Sequence, residues 1–271
     1  NKSPELIQNI VMAFFHVFIL SAIQGSTEFL PVSSSAHLLL YNELVYTLKN
    51  SISFDIAVHL GSLLAVVFIL RKLIVESFGF FNNQKQSNNL IFPLIISTVP
   101  IIITALVVET FLLMDFSRQL IVVAIANIIF SIFLYISDKT KQNKTISEIT
   151  KLDALIIGIF QSFALIPGAS RSGTTITGAR FLRFSRKDSV LISLLMSIPT
   201  IGCSALYLLF KISNNNGGFD LKLLFFAGLF SFILSLLSLK VLLWLGQVTS
   251  FTPFVVYRIF LGAIIIFIII P

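Results

Sequence analysis

Long runs of Ile, Leu, Val and Phe, interrupted by short polar clusters, set the pattern of this chain. A helix rises about 1.5 Å per residue, so about 20 mostly apolar residues cover a hydrocarbon core about 30 Å thick. Six windows meet that description with few stranded charges: 54–70, 90–108, 120–136, 190–210, 223–245 and 254–270. The stretches 6–40 and 152–181 are equally apolar in part, but each is broken near its middle by a proline and a polar cluster. Neither can span as one continuous helix, because proline removes a backbone donor and clashes with the preceding turn.

The two breaks resemble each other. Laying "EFLPVSSSAH" over "ALIPGASRSG" puts Pro31 on Pro167, Ser34 on Ser170, and Phe29-Leu30 on Leu165-Ile166, half a chain length apart. Each half then reads as a polar-centred hairpin followed by three spans, with repeats at about 6–136 and 152–270. Three crossings are odd, so the second half is upside down relative to the first, as in many secondary transporters. The expected fold is an all-α polytopic membrane protein: one membrane domain over 1–271, with six transmembrane helices and two re-entrant helical hairpins in an inverted-topology repeat. Irregular backbone at membrane depth is tolerated only where protein or a water-filled cavity covers it. The hairpin tips are therefore expected to meet, bringing Glu28, Ser34 and His37 near Arg171.

Composition supports the membrane reading. The chain is 56% hydrophobic and 11% charged, where soluble domains carry about a quarter charged residues. A net charge of +7 would point to nucleic acid in a soluble domain, but here the basic residues sit in short loops. One side collects Arg71, Lys72, Lys85, Lys139, Lys141, Lys144, Lys151, Lys240 and the cluster Arg180, Arg183, Arg186, Lys187; the other holds Lys2, Lys49, Arg118, Lys211 and Lys222. An excess of Lys and Arg marks the cytoplasm, so both termini and the polar segment 24–37 should open to the outside, and the cluster at 180–187 reads as a topology signal. The apolar start carries His16 and lacks a signal-peptide pattern, which reads as mature structure. The lone Cys203 excludes an intrachain disulfide and reads as a small packing residue.

Ionisable groups within apolar segments are costly and mark function. In "PGASRSGTTITGAR" a Pro-Gly turn precedes a Ser/Gly/Thr-rich run that can open a helix, whose free N–H groups favour a phosphate, and Arg171 adds a planar bidentate cation. In the other half Ser34 and His37 stand three apart, on one face of a helix that follows Pro31. His37 can then serve as base to the Ser34 hydroxyl, with Glu28 orienting the imidazole. Bland readings stand beside these: Ser33 or Ser34 as a helix N-cap, His37 and His16 as packing residues, His59 beside Asp55 as structural, and Arg258 as a snorkelling cation. Glu28 is the one carboxylate of the two polar segments and Gln24 precedes it by a turn, so no metal set is defined.

With these motifs the chain resembles the undecaprenyl-diphosphatase family, the bacitracin-resistance phosphatases. The first family motif, Glu or Gln, three residues, Glu, Phe-Leu-Pro-x-Ser-Ser and a His, is matched by Gln24, Glu28, "FLPVSS" and His37; the second, Pro-Gly-x-Ser-Arg-Ser-Gly with a nearby Thr, by residues 167–173 and Thr175. The resemblance covers essentially the whole chain, including "FDIAVHLGSLLAV". It implies hydrolysis of undecaprenyl pyrophosphate to undecaprenyl phosphate and inorganic phosphate, recycling the lipid carrier of cell-wall synthesis at the bacterial inner membrane. It implies catalytic roles for Ser34, His37, Glu28 and Arg171, and substrate contacts from Gln24, Ser33, Gly168, Ser170, Ser172, Gly173 and Thr175. Either Ser34 or His37 can be the nucleophile on this reading. Gln24 stands where the family often has Glu, so a two-carboxylate metal site is not supplied, although Mg²⁺ or Ca²⁺ can arrive with the pyrophosphate. The implied partners are a polyprenyl pyrophosphate lipid and membrane lipids, with no nucleic acid, and a homo-oligomer is left open. The rival class is a flippase of a polyprenyl phosphate lipid, on the analogy of inverted repeats.

Overall fold

The structure is a computed structural model and describes residues 4–45, 52–77, 90–110, 119–212 and 221–269, with their side chains from Phe14 onward except at 211 and 212. The described residues form α1 (Pro4–Thr27), α2 (Ser34–Val45), α3 (Ile52–Ser77), α4 (Ile91–Thr110), α5 (Leu120–Asp138), α6 (Lys151–Ser162), α7 (Arg171–Phe181), α8 (Arg186–Ile212), α9 (Leu221–Val248) and α10 (Thr252–Ile269). Among them there is no strand, only an isolated bridge between Lys144 and Phe184.

Six helices are long and apolar enough to cross a membrane, and each contains or overlaps one predicted window: α3, α4, α5, α8 over Arg186–Phe210, α9 and α10. The helices outrun their windows where a charged residue ended the apolar run, as at Arg71 and Lys72 in α3 and at Arg186 and Lys187 in α8. Long cationic side chains lay their methylenes along apolar surface, so a helix continues through them. Leu64, Phe92, Leu106, Trp244 and Phe260 point outward from the spans. Water would not tolerate that surface and lipid does. Cys203 is among the exposed residues of α8, so the packing role expected of it is not found. Lys2, Lys49, Lys85 and Arg118, used for the expected orientation, lie outside the described residues.

Hydroxyls and glycines hold the bundle together. Ser62 of α3 meets Ser231 and Ser235 of α9 at 2.9 and 3.0 Å, and Ser235 and Ser238 donate to the Gly25 carbonyl of α1 at 3.2 and 3.0 Å. Small hydroxyl residues let helices approach closely where hydrophobic contrast gives no drive to associate. The α1–α2 pair is pinned by His16 Nδ1 against the Tyr41 hydroxyl at 2.7 Å, so His16 packs as expected but with a polar partner across the hairpin.

At the far end of the second hairpin sits a latch. Asp138, buried at the end of α5, accepts from Arg186 Nε and Nη2 at 2.6 and 3.1 Å and from the Phe251 amide at 3.1 Å. Arg180, fully buried at the end of α7, donates to the carbonyls of Asp138 at 3.2 Å, Thr140 at 2.7 Å and Phe184. Reading Arg180 as a loop charge is corrected here: its Nη atoms are taken by carbonyls, its Nε lies 3.6 Å from Asp138 without a hydrogen bond, and the guanidinium ties α5, α7 and α8 together.

Candidate active site

Both hairpin tips are built with the same device. After α1 the chain turns through 28–32, and Ser33, at φ 71°, accepts from the Ala36 amide at 3.4 Å to open α2. After a 3-10 turn at Phe163–Leu165, Ser170, at φ 70°, accepts from the Gly173 amide at 3.2 Å to open α7. A side-chain oxygen satisfying the third amide of the helix is an N-cap. The structural equivalent of Ser170 is thus Ser33, and the sequence overlay on Ser34 is corrected by one residue. The extra residue is Gly168, at φ 97°, a conformation that a side chain would oppose.

The tips touch reciprocally. The Gly168 amide donates to Ser35 Oγ at 3.3 Å, and Ser172 Oγ donates to the Leu30 carbonyl at 2.9 Å. Where they meet, Glu28 is saturated with donors: Gln24 Nε2 at 2.8 Å and Ser34 Oγ at 3.2 Å on one oxygen, Arg171 Nη2 at 3.2 Å on the other. Gln24 is itself held by His59 Nε2 at 3.3 Å, and His59 Nδ1 lies 2.6 Å from the Asp55 carbonyl. A carbonyl only accepts, so His59 carries its proton on Nδ1 and takes a Gln24 proton on Nε2.

Two guanidiniums flank the second tip. Arg171 lies over the Phe29 ring, 5.8 Å from its centroid, and its Nη1 is buried with no partner. Arg258 is fully buried, which corrects the snorkelling reading. Its Nε donates to Asn127 Oδ1 at 2.8 Å and its Nη2 to the carbonyls of Gly168 and Ala169 at 3.0 and 2.9 Å, while its Nη1 has no partner. A Cβ on Gly173 would stand 2.7 Å from that Nη1. The guanidinium therefore needs a glycine there.

The expected Ser34–His37 contact is not the one found. His37 Nδ1 lies 2.7 Å from the Ser33 carbonyl, and Nε2 lies 2.5 Å from the Tyr257 hydroxyl, with the two rings 7° from parallel. Glu28 bonds Ser34 and does not orient the imidazole. Thr175 is turned toward α8, meeting Ser193 Oγ at 2.6 Å, and the Ser172 hydroxyl is spent on the first tip. His59, Arg258 and Tyr257 join the site beyond the residues singled out from the motifs. A charge or imidazole in an apolar window was a signal for the first two, and nothing marked the tyrosine. Among the described residues no three His, Cys, Asp or Glu side chains gather as a metal site.

An all-helical, multi-pass membrane protein in which two helix breaks bring one carboxylate, several hydroxyls and two part-free guanidiniums together has the build of a membrane site for an anionic group. The chain belongs to the family described as bacitracin resistance protein BacA, whose pattern matches residues 17–264. Relatives extend over nearly the same length. A protein of Pelagibacter ubique named undecaprenyl-diphosphatase is 42% identical over 258 residues, covering 94% of this chain and 96% of its own. One of the same name from Campylobacter curvus is 37% identical over 263 residues, covering 95% and 99%.

Proposed function

We propose that this protein hydrolyses undecaprenyl pyrophosphate to undecaprenyl phosphate and inorganic phosphate, with the active site where the hairpin tips meet. The observation that carries the reading is the pair of buried, unpartnered nitrogens, Arg171 Nη1 on the residue that opens α7 and Arg258 Nη1 beside Gly173 in its first turn. Buried donors without partners are rare and costly, and a phosphate oxygen is the acceptor that suits a guanidinium. In phosphoryl transfer the protein chiefly positions the group and stabilises charge on its oxygens.

On this reading Ser34 Oγ attacks the terminal phosphorus, and its proton passes to the Glu28 oxygen that it already faces. The bridging P–O bond breaks and undecaprenyl phosphate leaves. Water then cleaves the phosphoserine, its proton reaching His37 Nε2 through the Tyr257 hydroxyl that bonds this nitrogen, and phosphate departs with Ser34 reprotonated by Glu28. Arg171 and the α7 amides hold the transferred group, and Arg258 adds charge from below. Mg²⁺ or Ca²⁺, if present, would arrive on the substrate and neutralise its oxygens.

The re-entrant and inverted arrangement belongs to the same proposal. At about 1.5 Å per residue, the 12 residues of α2 and of α6 reach about 18 Å and the 11 of α7 about 16 Å, too short to cross. Because α7 runs from Arg171 to the latch at Arg180, a latch at the cytoplasmic surface puts Arg171 about half a bilayer deep. The basic residues Lys144, Lys151, Arg186 and Lys187 surround that end of the chain, which favours a bacterial inner-membrane protein with its site opening outward.

The test is release of inorganic phosphate from a short polyprenyl pyrophosphate in detergent micelles, where no second compartment exists. A hydrolase turns over there. A flippase does not, and silence in the assay with a folded protein would overturn the proposal.

A further inference from the structure

We propose that Tyr257 is a positioning residue for His37, its hydroxyl donating to Nε2 and so holding the ring, while the hydroxyl oxygen stays open to accept from the attacking water and pass a proton on to that nitrogen. The inference rests on the phosphatase reading for its kinetic consequence only. The Ser33 carbonyl, 2.7 Å from Nδ1, can only accept, so Nδ1 carries the proton in the neutral ring. The lone pair is then on Nε2, and the Tyr257 hydroxyl at 2.5 Å donates to it. The rings lie 5.7 Å apart at centroid and 7° from parallel, so the tyrosine also limits rotation of the imidazole.

Tyr257 is itself held in register. The next residue, Arg258, is fully buried, tied through its side chain to Asn127, Gly168 and Ala169, and its carbonyl accepts from Asn127 Nδ2 at 3.1 Å. Adjacent residues of α10 therefore grip the two hairpins, Arg258 the second tip and Tyr257 the imidazole of the first. This fixes His37 relative to the phosphate-binding loop although the two lie on different halves of the chain. Tyr257 is 44% exposed, and a tyrosine at a membrane interface would fill that place with its ring alone. The short contact to Nε2 is what such a tyrosine does not need.

The experiment uses full-length protein in micelles with ¹⁵N-imidazole histidine. The chain has three histidines, so His37→Gln assigns the signal of interest. In the wild type His37 should show a protonated Nδ1 and an unprotonated, hydrogen-bonded Nε2. Tyr257→Phe keeps the ring and removes the donor, so the Nε2 resonance should move downfield while Nδ1 stays. The same variant should lower kcat about five- to tenfold, the worth of one hydrogen bond, with KM changed less than about twofold. An unmoved Nε2 resonance overturns the contact, and a moved resonance with wild-type kcat overturns the positioning role. If the wild type releases no phosphate, the phosphatase reading falls and the resonance alone decides the contact.

Discussion

Gly173→Ala places a methyl group where a guanidinium already stands. The new Cβ would lie 2.7 Å from Arg258 Nη1 and 3.2 and 3.3 Å from Ser170 Cβ and Oγ. Contacts between carbon and other heavy atoms settle near about 3.5 Å, so the guanidinium has to retreat by about 0.8 Å. It is not free to do so, because Nε and Nη2 hold Asn127 and the Gly168 and Ala169 carbonyls at 2.8–3.0 Å. A retreat of that size takes two of these bonds past about 3.5 Å, where they cease to count, at about 1.5 kcal/mol each for a charged donor. Alanine returns about 1 kcal/mol through helix propensity, leaving a net destabilisation of about 2 kcal/mol. For a chain of this size that lowers Tm by about 4–8 °C. Activity should suffer more, since a misplacement of about 1 Å at a reacting site costs about a hundredfold. The check is kcat/KM for phosphate release beside a thermal melt in the same detergent. Arg258→Met removes the obstacle, so the double variant should be no worse than Arg258→Met alone. Wild-type kcat/KM and Tm in Gly173→Ala would refute the claim that Arg258 is locked beneath the loop.

Three further outcomes follow from the same geometry. Ser34→Ala should lower kcat by about a hundredfold or more in the phosphate-release assay, and near-normal turnover would remove the serine nucleophile. Asp138→Asn strips the charge shared by Arg180 and Arg186; breaking a buried pair on one side costs about 3–5 kcal/mol, so the melt should fall by more than about 6 °C. At Asp153, burial alone would push the carboxyl up, but the hydrogen bonds from Lys144 Nζ and from the Thr150 hydroxyl and amide outweigh it and hold the group below its ordinary 3.8. A folded-state value below the unfolded one gives stability that is present above pH 3.8 and is lost as the pH falls through the folded value. The Tm advantage of wild type over Asp153→Asn should therefore hold at pH 6 and shrink below about pH 4. A difference that persists unchanged to pH 2.5 would sink that assignment.

Where sequence and structure agree, the cause is local. A span is legible because about 20 apolar residues in a row have few other fates, and the helix breaks are legible because proline cannot continue a helix interior. The register between the tips went astray by one because Gly168 spends a residue on a left-handed turn that the motif overlay could not weigh. Ser34 and His37 do share a helix face by spacing, yet the imidazole bonds the carbonyl one turn back, Ser33, and turns toward α10 instead of the hydroxyl. Arg258 was misread for a related reason. Position near a helix end suggests snorkelling, but its partners lie 89, 90 and 131 residues away along the chain and only packing brings them to it.

Charge at the meeting point explains why the two halves are needed together. Glu28 comes from the first hairpin and Arg171 from the second, while Arg258, on the last helix, has carbonyls and an amide for partners but no carboxylate among its hydrogen bonds. Glu28 pairs with Arg171, so among the described residues the buried Arg258 guanidinium has no carboxylate partner. In a medium of low dielectric that charge acts strongly, and burying it unpaired is expensive. On the proposed reading a pyrophosphate headgroup would relieve both guanidiniums through the free Nη1 atoms, whereas a zwitterionic lipid would bring a cation into the same field. Either hairpin alone would leave an unpaired ion: the Glu28 carboxylate with Gln24 and Ser34, or the Arg171 guanidinium without its carboxylate. The reciprocal bonds between Ser35 and Gly168 and between Ser172 and Leu30 hold the halves together where Glu28 meets Arg171, and on the proposed reading the remaining charge of Arg258 would favour an anion.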